Sequence, residues 1–239
     1  MVPKNIYVRK LEEKDGYTAW LVNGALVRKE LDENFTEYDH HSRFHFIPEK
    51  EFWIDDEMSP KEYALYIRRL LKEVEFIRNG MSPRDAAQQA DTFEEQERQK
   101  GARIKKILNS QNQDVIREKI RKKKITEYGD AVALWLVDGD LVRSTYSVEY
   151  SEGGHDIVYS WIPKNEIWIE ESLKPEERDF IILHELHERY LMASKKMTYA
   201  DAHHGATIVE DHYRERREGL LERIREEMKN NGSLSHDHS

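Results

Sequence analysis

The sequence has no cysteine among its 239 residues. Disulfide bonds, cysteine-ligated zinc fingers and thiol catalysis are therefore excluded. A metal ion in this protein would have to be held by histidine, aspartate and glutamate side chains. That donor set suits zinc, and also iron or manganese.

Long apolar runs are also missing. No stretch approaches the roughly 18 consecutive apolar residues of a transmembrane helix. The N-terminal sequence MVPKNIYVRKLEEKDG has no apolar centre like that of a signal peptide. We therefore expect a cytoplasmic protein with no membrane partner. Five Trp and twelve Tyr residues still supply enough apolar surface for folded cores.

An excess of positive charge is the third absence. The formal net charge is −9, so the surface as a whole repels nucleic acid. The basic run from Arg117 to Lys124 contains no interleaved aromatic residues, which nucleic-acid-binding segments commonly use to stack bases. We therefore expect no nucleic-acid partner.

An internal duplication organises the chain. WLVNGALVR, starting at Trp20, and WLVDGDLVR, starting at Trp135, are identical at seven of nine positions. The same offset of 115 residues aligns FIPEKEFWID with WIPKNEIWIE, and one inserted residue then shifts the offset to 116, aligning GMSPRDAAQQA with KMTYADAHHGA. Several matches in the same order indicate two copies of one structural unit.

Each copy is predicted to be a small α+β unit, with an antiparallel sheet followed by two to three helices. The dipeptides Asn23-Gly24 and Asp138-Gly139 lie between apolar runs and favour type I′ turns, so we expect β-hairpins there. EFWI and EIWI alternate as a further strand. Helices are expected over 60–78 and 175–194, with second helices capped by Ser82 and Thr198.

The predicted domain organisation follows from the duplication. Residues 1–100 form the first repeat, 101–128 a charged helical connector, 129–232 the second repeat, and 233–239 a disordered tail. The last helix would include DHYRERREGLLERIREEMKNNG and end at Gly232 as its C-cap. The matching apolar faces suggest that the repeats pack as a pseudo-twofold pair, and a homodimer is a further possibility.

The sequence FIILHELHERY contains the strongest chemical motif. His184, Glu185 and Glu188 form an H-E-x-x-E pattern on a predicted helix, and residues four apart share one helix face. His184 and Glu188 can therefore bind one metal ion. His203 is the first choice for a third ligand and His204 the second. Glu210 is a fourth ligand or a hydrogen-bond acceptor that orients a histidine.

The first repeat provides an internal comparison. Arg69 stands at the position of His184, Leu70 at that of Glu185, and Ala87 at that of His203. The positions of Glu188 and Glu210 keep their acids, as Glu73 and Glu94. We interpret the first repeat as a degenerate copy without a metal site, in which the Arg69 guanidinium replaces the metal cation between carboxylates. His40, His41 and His45 are assigned to a strand or loop.

HELHE, preceded by EIWIEESLKPEERDFIIL, resembles the core of a small zincin-type metallopeptidase. His184 matches the first ligand and Glu185 the general base, while Glu188 replaces the second histidine ligand of that family. With Met197, Tyr199, Ala202 and His203, the pattern resembles modules of phage and prophage proteins. The resemblance implies zinc, hydrolysis, and a peptide or protein substrate, which the strand EIWIE could hold by strand addition.

The sequence is compatible with three functions. The first is a metal-dependent, peptidase-like hydrolase with its active site in the second repeat and Glu185 as the catalytic base. The second is a non-enzymatic binding or structural protein, phage-related, in which the metal joins two helices. The third is a dinuclear oxidase-like site, suggested by the spacing of Asp201-x-x-His204.

Overall fold

The computed structural model describes residues 3–32, 34–35, 37–110 and 112–233. The expected disordered tail, 233–239, falls outside these residues except for Ser233. The chain divides into two compact units. Unit 1 comprises the described parts of 1–111 together with 143–149, and unit 2 comprises 112–142 and 150–233.

The described residues form two similar sets of strands and helices. In chain order they are β1 (Tyr7–Lys14), β2 (Tyr17–Val22), α1 (Gly24–Glu30), β3 (Tyr38–His40), β4 (Glu51–Asp55), α2 (Tyr63–Arg78), α3 (Pro83–Gln99), α4 (Ala102–Leu108), α5 (Gln113–Ile120), β5 (Arg121–Ile125), β6 (Ala133–Val137), α6 (Gly139–Thr145), β7 (Gly153–His155), β8 (Glu166–Glu170), α7 (Pro175–Lys195), α8 (Tyr199–Glu215) and α9 (Leu220–Ser233).

Each unit contains a four-stranded sheet, with the strand orders β1-β2-β4-β3 and β5-β6-β8-β7. The prediction of a duplicated α+β unit is confirmed. The sheets are mixed, however, because β2 pairs with β4, and β6 with β8, in parallel. The outer pairs are antiparallel.

The prediction of hairpins at Asn23-Gly24 and Asp138-Gly139 was wrong. Because a hairpin makes its two strands antiparallel, the prediction of an antiparallel sheet was wrong for the β2–β4 and β6–β8 pairs as well. The Asn23 side chain accepts a hydrogen bond from the backbone N–H of Leu26 at 2.8 Å, so Asn23 caps α1. Asp138 does the same for α6. A helix therefore follows β2 and β6, and the chain returns in the parallel direction. The true hairpin of unit 1 turns at Asp15-Gly16, both at positive φ.

The main helices agree with the sequence. Ser82 and Thr198 accept hydrogen bonds from Asp85 and Asp201, which confirms both N-caps. The last segment differs from the prediction because it is two helices. Gly219, at positive φ, lies between α8 and α9. Gly232 lies inside α9 and is not its C-cap.

Residues 101–128 are only partly helical. They contain α4 and α5, but the end of the basic run forms β5, which pairs with β6 at the edge of the second sheet. The strand carries exposed lysines, which is how edge strands resist pairing with other chains. Among the described residues, no helix is both long and apolar enough to cross a membrane.

The core of unit 2 lies between its sheet and its last three helices. It consists of buried aliphatic side chains from β6, β8, α7 and α9, including Leu134, Leu136, Ile167, Ile169, Leu183, Leu186, Ile224 and Met228. In unit 1 the corresponding cluster includes Tyr66, Ile67, Leu70 and Val74 of α2. The long helix after each sheet is thus fixed firmly, and in unit 2 it is the helix that contains HELHE.

The close packing of Gly24 allows a test of the assignment of Gly24–Glu30 to a helix rather than to a hairpin. A Cβ at Gly24 would overlap the Asp55 carboxylate, which is fully buried and bound to Arg28 at 2.6 Å. We expect Gly24→Ala to lower the free energy of unfolding by about 3 kcal/mol, because neither group can move away. In the control Gly101→Ala, the new Cβ meets no atom closer than 3.9 Å. Urea denaturation that shows equal stability for both variants would contradict this packing.

Candidate metal centre

The helix α7 is buried over most of its circumference, so its polar residues must find partners inside unit 2. His184 and Glu188 lie one turn apart and face α8, where His203 meets them. Two groups of three side chains have potential ligand atoms within 4.8 Å of one another: His184, Glu188 and His203, and His155, Glu185 and Glu188. Hydrogen-bond geometry distinguishes the two groups.

The first group forms a compact triangle of ligand atoms. Glu188 Oε2 lies 2.8 Å from His203 Nδ1 and 3.5 Å from His184 Nε2, and the two imidazole nitrogens are 3.1 Å apart. These separations allow one ion to lie at a zinc–ligand distance of about 2.0–2.2 Å from all three atoms. The His203 side chain is 50% exposed, so the site is reachable from solvent.

Glu210 contacts the far side of His184. Its Oε2 lies 2.8 Å from His184 Nδ1, and its Oε1 accepts a hydrogen bond from Arg214 at 2.7 Å. When Nδ1 donates to Glu210, the lone pair of His184 is on Nε2, the atom that faces Glu188 and His203. Of the two roles expected for Glu210, the geometry matches the acceptor that orients His184.

His155 is a site residue that the motif analysis missed. It is fully buried on β7, and its Nε2 lies 2.9 Å from Glu188 Oε1. Its Nδ1 accepts a hydrogen bond from the backbone N–H of Ile157 at 3.2 Å. A neutral imidazole with an accepting Nδ1 carries its proton on Nε2, so His155 donates to Glu188 and has no lone pair for a metal. This favours the first group of ligands.

Glu185 lies beside the edge strand. A Cβ built on Gly153 would be 3.0 Å from Glu185 Cγ, so the glycine leaves room for this side chain. Burial, and then the charge of Glu188, raise the pKa of Glu185 to about 8, although His184 opposes the rise. The carboxyl group therefore stands in the low-dielectric surroundings that make a carboxylate a stronger base.

The pKa values of Glu188 and His184 shift in the directions that favour their charged forms. Burial opposes the negative charge of Glu188, but hydrogen bonds from His155, His184 and His203 hold its pKa far below the usual value. Burial likewise opposes the positive charge of His184, but hydrogen bonds to Glu188 and Glu210 raise its pKa to about 10. Carboxylates of Glu188 and Glu210 thus lie on both sides of the His184 ring.

Part of this arrangement recurs in unit 1. His40 Nε2 lies 3.4 Å from Glu73, and its Nδ1 accepts from the backbone N–H of Ser42, as His155 does from Ile157. Arg98 pairs with Glu94 at 2.6 Å, as Arg214 pairs with Glu210. The histidine on the short strand and the Glu–Arg pair therefore belong to the shared scaffold. His40 and His155 occupy equivalent positions in the two repeats. This match was the signal in the sequence that could have identified His155 as a site residue.

The differences between the units converge on one place. Arg69 ion-pairs with Glu73, binds Asp91 at 2.7 Å, and lies 3.9 Å from Glu94. This is the guanidinium between carboxylates that the sequence comparison predicted. Tyr38, the counterpart of Gly153, stacks on Tyr66 and donates a hydrogen bond to Glu94, so a ring occupies the space that unit 2 leaves for a carboxyl group.

Other candidates lie elsewhere. The His204 side chain is exposed, and Asp201 binds Thr198 at the start of α8, so the Asp201-x-x-His204 pair takes part in neither group. His187 pairs with Glu227 of α9 at 2.7 Å. The strand EIWIE is β8, which is paired on both sides by β6 and β7 and has no free edge for a peptide. That expectation was wrong, because β7 is the edge strand.

Comparison of the chain with protein-family models, curated proteins and solved structures found no match. The interpretation of the site therefore depends on its geometry and on the two repeats.

His203 and His204 are adjacent and provide a matched pair of variants. We expect His203→Ala to weaken zinc binding by more than about 100-fold, because loss of a ligand exceeds the 10- to 100-fold effect of an orienting residue. His204→Ala should bind zinc as the wild type does. Competition titration with a chromophoric chelator measures both affinities, and equal effects of the two substitutions would exclude His203 as a ligand.

Unit 1 allows the converse experiment. Arg69→His with Ala87→His would place two imidazoles beside Glu73, in the positions that His184 and His203 hold beside Glu188. We expect the double variant to bind one more zinc ion per chain than the wild type, by elemental analysis after gel filtration. Ala87→His alone is the control, since it retains the Arg69 cation. No difference between these variants would count against the assigned ligand set.

Proposed function

We propose that unit 2 is a metal-dependent hydrolase of the peptidase type, with one divalent ion, most suitably zinc, held by His184, Glu188 and His203. The observation that carries the proposal is the convergence of the differences between the repeats. In unit 2, His184 and His203 replace Arg69 and Ala87 and supply two imidazoles. Glu185 and Gly153 replace Leu70 and Tyr38, and they supply a carboxyl group and the space for it at the same place. The histidine on the short strand, the buried glutamate on the following helix and the Glu–Arg pair are present in both units.

Three protein ligands leave a coordination position for water, which is the arrangement of catalytic zinc sites. The metal would acidify that water, to a pKa of about 7, and polarise the substrate carbonyl. Glu185 supplies the general base, because it is next to both α7 ligands and its buried carboxyl group favours proton uptake. Glu210 keeps His184 in the ligating tautomer, and His155 holds Glu188 by its second oxygen.

The resemblance to zincin-type modules of phage proteins supports the same assignment, because α7 carries His184 and Glu185 in the order that this family uses. Glu188 makes the proposed ligand set His₂Glu, which catalytic zinc accepts. The access route is through the exposed side of His203. An extended peptide or protein substrate would lie near β7, the edge strand beside Glu185.

A non-enzymatic role is the second candidate. His184 and Glu188 come from α7 and His203 from α8, so a bound ion would join two helices of unit 2. In this case the metal would stabilise the helix pair, and Glu185 would have no chemical function.

Glu185→Gln separates the two functions. The amide is nearly isosteric but cannot accept a proton, so we expect hydrolysis to fall at least about 1,000-fold while zinc remains bound. The assay is mass-spectrometric detection of cleavage in a mixed peptide library with zinc-loaded protein, and zinc content is measured on the same samples. His204→Ala is the matched control, with full cleavage. Undiminished cleavage by the Gln variant would eliminate Glu185 as the base, and a zinc-loaded wild type that cleaves no peptide would favour the structural role.

A further inference from the structure

The helix α9 of unit 2 packs against α7 and shares a core cluster with residues of the second sheet. Its apolar residues Leu220, Ile224 and Met228 join the core that contains Val132 and Leu183. Polar contacts add to this packing. Glu227 binds His187 at 2.7 Å, and Asn231 donates to the backbone carbonyl of Leu186 at 2.8 Å. The helix therefore has an apolar stripe and an acid that meets a basic side chain on α7.

The corresponding surface of unit 1 forms an open cleft. Its volume is about 390 Å³, and the residues lining it come from the β1–β2 turn, α2 and α3. Tyr17, Leu71 and Phe93 line this cleft at the positions that Val132, Leu186 and Val209 hold in unit 2, where all three belong to or pack against the core cluster that includes α9. The cleft of unit 1 is thus the structural equivalent of the surface that α9 covers.

The rim of the cleft is basic in a chain whose net charge is −9. Four cationic side chains and two acidic ones line it: Lys14, Arg68, Lys72 and Arg78, with Asp15 and Glu75. Arg68 and Lys72 are 44% and 34% exposed, and they pair with Glu97 and Glu75 near the surface. Such exposed pairs are worth under about 1 kcal/mol, so a ligand can exchange them for its own charges.

We propose that this cleft docks an acidic amphipathic helix of a partner protein, in the manner in which α9 packs on unit 2. The apolar stripe of that helix would contact Tyr17, Leu71 and Phe93. Lys72 occupies the position of His187, so a glutamate at the position of Glu227 would meet a full positive charge there. Charge complementarity and the α9 template together define the occupant: about three helical turns, with apolar residues four apart and carboxylates beside them.

A peptide with the sequence of α9 as its starting point is the test probe. Residues 217–233 would be synthesised with a fluorescent label and with Arg223, Arg225 and Lys229 changed to Glu. A second peptide would instead have Glu222, Glu226 and Glu227 changed to Lys. We expect saturable binding of the acidic peptide to the full-length chain by fluorescence anisotropy, weakening as salt is added, and at least about tenfold weaker binding of the basic peptide.

Variants of the cleft locate the binding site. Arg68→Glu with Lys72→Glu should weaken binding of the acidic peptide about tenfold, and both residues are exposed enough for the fold to tolerate the change. Lys105→Glu with Lys106→Glu alters the net charge equally on exposed positions of α4, and should leave binding unchanged. Equal binding of both peptides, or equal effects of both double variants, would overturn the proposal. Tighter binding of the unmodified α9 peptide, together with dimerisation of the chain in sedimentation, would assign the cleft to a second copy instead.

Discussion

A buried carboxylate on the helix after the sheet is the constraint that both units must satisfy. Glu73 and Glu188 are each less than a tenth exposed, and an ionised carboxylate inside a protein is costly unless it is paired and hydrogen-bonded. A histidine from the neighbouring short strand meets one oxygen in each unit. The second oxygen is where the units differ, because it meets a permanent cation in unit 1 and two imidazoles in unit 2.

This contrast underlies the proposal that unit 2, and not unit 1, binds a metal. The guanidinium of Arg69 is always charged and presents several donors, so it satisfies Glu73 without any further ligand. Imidazoles can give up a proton and then offer lone pairs, so the triangle of His184, His203 and Glu188 can exchange protons for a divalent ion. The corresponding buried acids are thus an ion-pair partner in unit 1 and, in the proposed site, a metal ligand in unit 2.

Local features of the fold could be predicted from the sequence, because they depend on residues close together in the chain. The H-E-x-x-E helix and the N-caps at Ser82 and Thr198 follow from helical periodicity and from side chains that accept backbone hydrogen bonds. The direction of β4 could not be predicted in the same way. Asn23-Gly24 suits a hairpin turn as well as a helix start, and contacts with distant residues, such as the close approach of Gly24 to Asp55, are not visible in the local sequence.

The site shows a similar limit. Helical spacing predicted that Glu210 lies on the same face of α8 as His203. Spacing alone does not determine which nitrogen of His184 the Glu210 carboxylate contacts. His155 comes 29 residues before His184 in the sequence, on a three-residue strand with no periodicity of its own. Its pairing with Glu188 arises from the order of strands in the sheet, in which β7 lies at the edge next to α7. Only the matching His40 of the first repeat carried that information.

The structure also bears on whether a metal would serve folding or chemistry. Unit 2 has a continuous aliphatic core and hydrogen bonds to both oxygens of Glu188, so we expect its fold to be less dependent on an ion than that of small zinc domains. An ion that is unnecessary for folding contributes stability only through its binding affinity. Retention of Glu185 in a buried, unfavourable position beside two other acids then requires another explanation. The proposed role as a base would account for that cost, whereas a structural metal site would be more stable with the leucine that unit 1 has at this position.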